Sequence, residues 1–416
     1  MSSQRLRGFK DIFGNEARLF SEAESVARRV FENFGFSEIK VPILEEKELF
    51  TRALGTETDV VQKEMYEFTD RSKIAVAMRP EGTAGVVRAY LEHSFDKNES
   101  HSKFYYLGPM FRSERPQAGR LRQFHQIGVE QLGTESPYAD AETIHCLTVF
   151  LDSVGAGGYE VKLNSLGTFE ERKGFKIELN KYFNLKKAEL CDDCRVRLEK
   201  NVLRILDCKV ESCRNVAKWS PSITNFITPD SSAHFQTVQE ALKRADVSFK
   251  VDPFLVRGLD YYTRTVFEVT HSKLGAQDAL AAGGRYDGLI ESFGGPRVGA
   301  VGFAIGVERL LTCMVSEKKS EELLEGSYFM VMLGEAALKE GFGLLSHLRA
   351  RGIKIQADFT GKSMKSQMRS ADRSKCRRVI ILGEDELKNK VFVLKDMKTG
   401  EQQSRPIAEI EKAVAC

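Results

Sequence analysis

Residues Phe111–Leu132, FRSERPQAGRLRQFHQIGVEQL, decide the fold. Two segments of alternating character flank a turn-rich centre, Arg115-Pro116-Gln117-Ala118-Gly119-Arg120, which carries two cations and no bulky apolar side chain. Period-two segments joined by a Pro/Gly loop predict an antiparallel hairpin. Residues two apart share a strand face, so Arg112 and Glu114 are expected to project together from the first arm. On the returning arm Phe124, Gln126, Gly128 and Glu130 share one face, while His125, Ile127 and Val129 share the other. The first set combines a ring, an amide, a bare backbone position and a carboxylate. That is poor material for a packed core and good material for holding a polar, planar ligand. A glycine between two long polar residues signals close approach of something to the backbone. An ordinary amphipathic hairpin with a solvated face is the competing reading.

Around this hairpin lie 416 residues, enough for two or three domains. An apolar fraction of 42% with 29% charged residues is that of an ordinary soluble globular protein. The net charge of +3 is nearly balanced, so only local clustering can speak about partners. No apolar run approaches the roughly 18 residues that span a bilayer, so no membrane association is expected. The start, MSSQRLRGFKDIFG, has no apolar signal region, and eight cysteines in so long a chain do not resemble a disulfide scaffold. A cytoplasmic location is expected.

Upstream, Leu19, Phe20, Ala23, Val26, Ala27, Val30, Phe31 and Phe34 recur at helical spacing and predict a helix over 16–34, closed by Gly35. The alternation of Ile39, Val41 and Ile43 predicts a strand over 36–45, placed at an edge or a subunit contact because Pro42 cannot donate to a ladder. Residues 74–91 read as a strand breaking into a helix at Pro80–Thr83, with Thr83 the expected N-cap and Glu81 just before it. From Leu163 to about Ser248 the chain turns charged and helical, like an insertion. Alternation returns over Arg257–Val269 (RGLDYYTRTVFEV), followed by Gly283–Gly288 (GGRYDG) and by Val298–Arg309, which leads into a helix near Val307. After a charged linker over 316–326, strands at Tyr328–Leu333, Ile353–Phe359, Val379–Leu382 and Val391–Leu394 alternate with helices and predict a small α/β domain.

Several chemistries are excluded by motif. Gly361-Lys362-Ser363 lacks the upstream glycine of a P-loop, since that position is Gln356. No G-x-G-x-x-G follows a strand, and neither H-E-x-x-H nor G-x-S-x-G occurs. If the chain uses ATP, it does so on an antiparallel sheet. Joining a carboxylate to an α-phosphate demands positioned cations and little acid–base work. Guanidinium groups suit this because they meet phosphate oxygens in pairs and stay charged. Arg112, Arg257 and Arg309 all adjoin glycine-rich or strand-ending sequence, although any one alone reads as a surface or ion-pair arginine.

The hairpin FRSERP…GRLRQFHQ resembles the second signature motif of class II aminoacyl-tRNA synthetases, and its RQFHQ ending resembles the histidine-specific branch. The helix and Pro42 strand resemble the first motif, AVGFAIGVERL resembles the third, and LVRGLDYYTRTVFE with AAGGRYDGL resembles the two histidine motifs of histidyl-tRNA synthetases. The resemblance covers nearly the whole chain and is weakest in the insertion. It implies an α+β fold: an antiparallel class II sheet flanked by helices, a helical insertion, and a C-terminal α/β anticodon-binding domain. It divides the chain into catalytic parts at 1–166 and 251–320, an insertion at 167–250 and an anticodon domain at 327–416.

The same resemblance implies histidine activation with ATP and Mg2+, transfer to histidine tRNA, and a homodimer. Arg112 and Arg257 would be catalytic, and Arg112, Glu114, Phe124, Arg257 and Arg309 would bind ATP, with Phe124 on adenine and Glu114 at its exocyclic amine. Glu81, Thr83 and Gln126 would take the amino group of histidine. Glu130 and Tyr262, with Tyr261 and Tyr286 nearby, would recognise the imidazole, whose ring N–H groups suit a carboxylate and a phenol. Gln117, Arg120 and Arg122 would meet the tRNA acceptor end. Seven cations between Thr360 and Arg378 (Lys362, Lys365, Arg369, Arg373, Lys375, Arg377, Arg378) face one acid, Asp372, and favour an RNA-phosphate surface over a merely solvated helix.

Cys191 and Cys194 form a proper zinc half-site, but Cys208 and Cys213 are more loosely spaced, so structural zinc is not expected from spacing alone. Two other classes compete with the ligase: a catalytically dead paralogue that regulates histidine biosynthesis, and a sensor of uncharged tRNA. Arg257 and the residues beyond Gly326 argue against the first, and the absence of length for a fused effector argues against the second.

Overall fold

The computed structural model describes residues 4–56, 58–115, 120–257, 261–275, 278–314 and 327–414. They belong to two compact units, Met1–Val315 and Ser316–Cys416.

The first unit opens with the expected helix, α1 (Gly14–Asn33), which buries Phe20, Ala23, Ala27, Val30 and Phe31 on one face. Phe31 meets the rings of Phe36, Tyr105, Phe150 and Phe303, so its truncation to Ala would cost about 3–5 kcal/mol. The expected strand over 36–45 is broken. Its ends form β1 (Ser37–Glu38) and β2 (Leu44–Glu46), which lie in different sheets on either side of Pro42. Pro42 has no N–H to continue a ladder, and the chain changes sheet there. After α2 (Lys47–Leu54), β3 (Glu67–Thr69) and β4 (Ala75–Met78) complete a small antiparallel sheet in the order β2-β4-β3. The strand-to-helix break at Pro80 is present, and α3 (Thr83–Glu92) follows, then α4 (Phe95–Asn98).

The decisive hairpin is β5 (Ser102–Phe111) and β6 (Gln123–Leu132), paired from Ser102 opposite Leu132 to Phe111 opposite Gln123. Arg112 and Glu114 lie just beyond β5 rather than on it; the Arg112 amide still donates to the Arg122 carbonyl at 2.9 Å. Next come α5 (Pro137–Ser153) and β7 (Tyr159–Ser165), then the helical stretch of α6 (Phe169–Leu185), α7 (Asp192–Lys200), α8 (Glu211–Ala217) and α9 (Pro229–Arg244). The chain re-enters the sheet at β8 (Lys250–Val251), parallel to β7, and continues with β9 (Thr263–His271), β10 (Ala279–Arg285), α10 (Gly288–Ser292), β11 (Ala300–Gly306) and α11 (Val307–Cys313).

The large sheet runs β1-β5-β6-β11-β10-β9-β7-β8, antiparallel except at its two edge pairs. One face is apolar. Ile127, Val129, Phe267, Val269, Phe303 and Ile305 pack there under α1, α5, α9 and α11. The opposite face carries Tyr106, Glu130 and Tyr286 beneath α3. This is the antiparallel, helix-flanked α+β architecture that the sequence predicts. α9 contributes Phe235, Val238 and Leu242 to the apolar face, whereas α6–α8 pack through Phe175, Leu179, Leu198 and Val216 on the other core.

In the second unit β12 (Tyr328–Met332), α12 (Glu335–Ala350), β13 (Ile355–Ala357), α13 (Met364–Arg373), β14 (Arg378–Leu382), α14 (Glu384–Lys388), β15 (Val391–Asp396), β16 (Gln402–Pro406) and α15 (Ile410–Val414) build a mixed sheet of order β13-β12-β14-β15-β16. Alternation fills both faces: Met330, Met332, Ile380 and Leu382 enter one core, and Phe329, Val331, Val379 and Ile381 the other. β16 is absent from the sequence reading because Gln-Gln-Ser-Arg-Pro has no apolar face; it is a polar edge strand. The linker expected over 316–326 lies outside the described residues.

Candidate active site

On the polar face of the large sheet a cavity of about 330 Å³ is lined by Arg112, Arg257 and Arg309, with Thr83, Glu114, Arg120, Phe124, Gln126, Tyr261, Tyr262 and Glu308. The three arginines come from the coil after β5, the coil before β9 and the first turn of α11. Arg112 is anchored by Nε to the Pro80 carbonyl at 2.9 Å, and its guanidinium lies 5.4 Å from the centre of the Phe124 ring. Arg257 is held by Glu268 at 2.7 Å, and Arg309 donates to the Ala279 carbonyl at 2.7 Å.

Burial, with Arg120 close by, pushes the Arg309 guanidinium below its ordinary range. Burial also opposes the charge on Arg257, but Tyr262 and Glu268 outweigh it and hold that group above its ordinary range. So much positive charge in a partly desolvated concavity is suited to an anion. Two buried polar atoms at this cavity have no protein partner, Arg257 Nε and Gln126 Oε1. Buried polar groups are nearly always satisfied, so this donor and this acceptor are free to meet a polar ligand.

Behind the wall, among buried groups, sit Glu81, Glu130 and Tyr286. Glu130 accepts from Thr83 Oγ1 at 2.6 Å and from the Tyr286 hydroxyl. Burial, only partly offset by those bonds, raises its pKa from 4.5 to about 8. Glu81 accepts from the amides of Thr83 and Ala84 at 2.7 and 2.9 Å, so its carboxylate caps α3. Burial nevertheless raises its pKa. Thr83 is therefore the first helical residue rather than the N-cap expected of it; Gly82 takes that position. Tyr261 packs between Tyr262, tilted against it at a ring separation of 4.6 Å, and Tyr286, edge-on at 5.6 Å.

The predicted face of β6 is thus assembled, but the close approach at Gly128 comes from the protein itself. A Cβ there would lie 2.4 Å from the Tyr106 hydroxyl, so the bare position serves a tyrosine and not a ligand. Gly302 on β11 is required in the same way, since a Cβ would fall 1.9 Å from Glu130 Oε2.

Of the residues expected to meet nucleic acid, Gln117 lies outside the described residues. Arg120 pairs with Glu114 at 2.8 Å and lines the cavity. Arg122 donates to the Glu114 carbonyl at 3.2 Å, and its amide bonds the Gly8 carbonyl. Both are tied inward because Glu114 offers a carboxylate and a carbonyl beside them.

Three anchoring groups around the cavity are not singled out by the sequence. Glu308 accepts from the His125 amide and faces its Nδ1 at 2.9 Å, locking β6 to α11; its place beside Arg309 was the available signal. Glu268 anchors Arg257 and sits on the polar face of an alternating strand. Arg285 is fully buried and meets Asp140, Asp287 and the Thr134 and Ser136 carbonyls, which fixes Tyr286 next to it. Its position inside GGRYDG was the only signal.

A family model described as histidyl-tRNA synthetase matches residues 8–173 and 207–310, and one described as an anticodon binding domain matches 324–416. Histidine–tRNA ligases of Thermodesulfovibrio yellowstonii and Oleidesulfovibrio alaskensis are each 46% identical to this chain over 99% of it, covering 97% and 99% of their own lengths. The crystal structure of apo histidyl-tRNA synthetase from S. aureus superposes with a TM-score of 0.81 at 33% identity, covering 100% of both chains. A Bacillus halodurans protein described as an ATP phosphoribosyltransferase regulatory subunit/histidyl-tRNA synthetase shares the fold, with a TM-score of 0.68 at 20% identity over 91% of this chain and 98% of its own.

Proposed function

Because the chain belongs to the histidyl-tRNA synthetase family, we propose that the arginine cavity is where it activates histidine and loads it onto tRNA. In the first step a histidine carboxylate oxygen attacks the α-phosphorus of Mg-ATP, a P–O bond forms, and pyrophosphate leaves. In the second a ribose hydroxyl at the tRNA terminus attacks the acyl carbon and AMP leaves. Neither step needs a covalent enzyme intermediate, so positioning and charge neutralisation carry the catalysis.

The observation that supports this reading best is the convergence of Arg112, Arg257 and Arg309 on one cavity. In it, Arg257 would bridge the α-phosphate and the substrate carboxylate through Nε and its remaining N–H groups, and Arg112 and Arg309 would take the other phosphates. Phe124 would stack on adenine, and Glu114 would accept from the adenine amine. Gln126 Oε1 would accept from the histidine ammonium, with Thr83 and Glu81 beside it. Glu130, Tyr262, Tyr261 and Tyr286 would select the imidazole. A pocket of paired polar groups rejects analogues lacking the matching N–H far better than an apolar one.

In this reading 1–166 and 251–320 are the catalytic parts, 167–250 the insertion and 327–416 the anticodon-binding domain. Of the seven cations near α13, Lys362, Lys365, Arg369, Arg373 and Lys375 are exposed, which supports a phosphate-binding surface. Exposed Leu44 and Phe68 on the small sheet, with Ile43 and Ile74 just before its strands, support a homodimer contact. No helix among the described residues is long and apolar enough to cross a membrane, and a cytoplasmic site of action fits the free cysteines. A purely regulatory role is disfavoured by the arginine cavity. Histidine-dependent ATP–pyrophosphate exchange by the purified protein tests the ligase directly; folded protein without exchange would defeat it.

A further inference from the structure

Spacing alone weighs against a metal in the cysteine-bearing segment, but the folded geometry weighs the other way. The thiols of Cys191, Cys194, Cys208 and Cys213 all lie within 4.8 Å of one another. Cys191 sits at the N-cap of α7 and Cys194 one turn into it, while Cys208 precedes α8 and Cys213 lies within it. Cys194, Cys208 and Cys213 are buried and Cys191 is half-buried. From this geometry we infer that the four thiolates bind one structural zinc ion, which staples α7 to α8.

Four observations carry the assignment. Tetrahedral zinc with Zn–S bonds of about 2.3 Å separates its sulfurs by about 3.8 Å, and Cys191 and Cys208 already stand 3.9 Å apart. That distance is nearly twice the roughly 2.05 Å of a disulfide, and four sulfurs this close leave no room for an iron–sulfur cluster. A backbone amide is also aimed into the cluster: that of Cys191 donates to Cys213 Sγ at 3.2 Å. A zinc tetrathiolate carries a net double negative charge, and residues 186–218 hold nine Lys and Arg against six acids. The segment also needs a staple, because α7 and α8 are only 9 and 7 residues long and isolated helices of that length are marginal.

The site adjoins the catalytic face. Cys208 and Lys209 line a cleft of about 460 Å³ together with Glu268, the anchor of Arg257. The metal thus fixes one wall of a cleft whose other wall bears on the proposed phosphate-binding arginine.

The test is metal analysis of the full chain, purified without chelator or polyhistidine tag and exposed to zinc before desalting. About one zinc per chain is expected. Cys208→Ser and Cys213→Ser should lose it, while Cys376→Ser, in a separate core of the second unit, should keep it. Cobalt exchanged into the wild-type chain should show the intense visible bands of a tetrahedral thiolate complex, and stripping the metal should expose the four thiols to a thiol reagent. Wild-type protein that binds less than about one zinc per four chains, or that takes up iron and no zinc, overturns the assignment. This outcome is read on the wild-type chain, so it stands even if the serine variants fail to fold. It is also independent of whether the protein catalyses exchange.

Discussion

Gly128 on β6 lies directly opposite Tyr106 on β5, and the tyrosine ring occupies the space a side chain at 128 would need. The same ring lies 2.3 Å from where a Cβ of Gly82 would be. Tyr106 is thereby wedged between the sheet and the start of α3, the turn that carries Glu81 and Thr83. Gly128→Ala would force the ring and the α3 turn apart, with a cost of about 1–3 kcal/mol from overpacking. Thermal unfolding should register that loss, and the KM for histidine should rise because Thr83 moves with the turn. An alanine variant with unchanged midpoint and unchanged KM would show that the turn is not positioned by this contact.

Glu130 should make stability depend on pH with an identifiable sign. Its pKa is raised on folding, from 4.5 to about 8, so the folded state holds a proton that the unfolded chain releases. The stability linked to this group is therefore full below pH 4.5, falls as pH rises, and reaches its floor above about pH 8. Glu130→Gln cannot ionise and should gain on the wild type across that window, by on the order of 3–5 kcal/mol. The same variant should bind histidine about 10-fold more weakly, because an amide NH2 cannot accept from Thr83 or from the imidazole as a carboxyl oxygen does. Parallel stability–pH curves for the two proteins would refute the linkage.

The elements most legible in sequence were those whose period alone decides them: α1 from its apolar stripe, the β5–β6 hairpin from alternation around a Pro/Gly loop, and the four apolar strands of the second unit. Arg112, Arg257 and Arg309 were found by residue type and context, yet nothing in spacing says that they share a cavity; sheet order does that, by setting β6, β11, β10 and β9 side by side. The missed features are cross-chain pairings. Arg285 and Asp140 are 145 residues apart, and Glu308 and His125 are 183 apart, beyond any local signal. The proximity of the four cysteines is hidden for the same reason: C-x4-C looks loose on paper, and only the turn before α8 brings Cys208 back to Cys191. Pro42 signals a sheet edge in the sequence, but which sheet each side joins is a tertiary matter.

The buried pair of Arg285 and Asp140 should be costly to break. Both side chains are fully buried. Burial would push the Asp140 carboxyl up, but Arg285 and His234 outweigh it and hold it below the usual carboxylate range. Asp140→Asn leaves a guanidinium buried without its main counter-charge, a loss of about 3–5 kcal/mol. Urea denaturation at neutral pH would measure it. In the wild type this contribution should fade as pH falls through the depressed Asp140 pKa, so acid should narrow the gap between the two proteins. A difference under about 1 kcal/mol would mean Asp287 and the carbonyls suffice.

Arg257 should matter to chemistry more than to folding, because Glu268 holds it at the edge of the cavity rather than in a packed core. Arg257→Ala removes the donors proposed for the α-phosphate and should lower the exchange rate by about 100- to 1000-fold, the usual cost of losing one stabilising donor. Arg257→Lys keeps the charge but not the planar fork and should rescue little. Exchange within about 3-fold of wild type in the alanine variant would remove Arg257 from the mechanism.

The exposed cations of the second unit can be separated from the cavity by what they leave unchanged. Arg369 and Arg373 stand on α13, both exposed, whereas Arg377 is paired with Asp396 at 3.0 Å and Arg378 reaches the Tyr328 hydroxyl at 3.3 Å. If the exposed pair touches RNA phosphates, Arg369→Glu combined with Arg373→Glu weakens tRNA binding and raises the KM for tRNA. Each lost phosphate contact also removes about one counterion, so the slope of log affinity against log salt should shrink by about two. Histidine-dependent ATP–pyrophosphate exchange uses no tRNA and should stay at the wild-type rate. A double variant with an unaltered salt slope would return α13 to an ordinary solvated helix, and one that also loses exchange would point to misfolding rather than to a lost RNA contact.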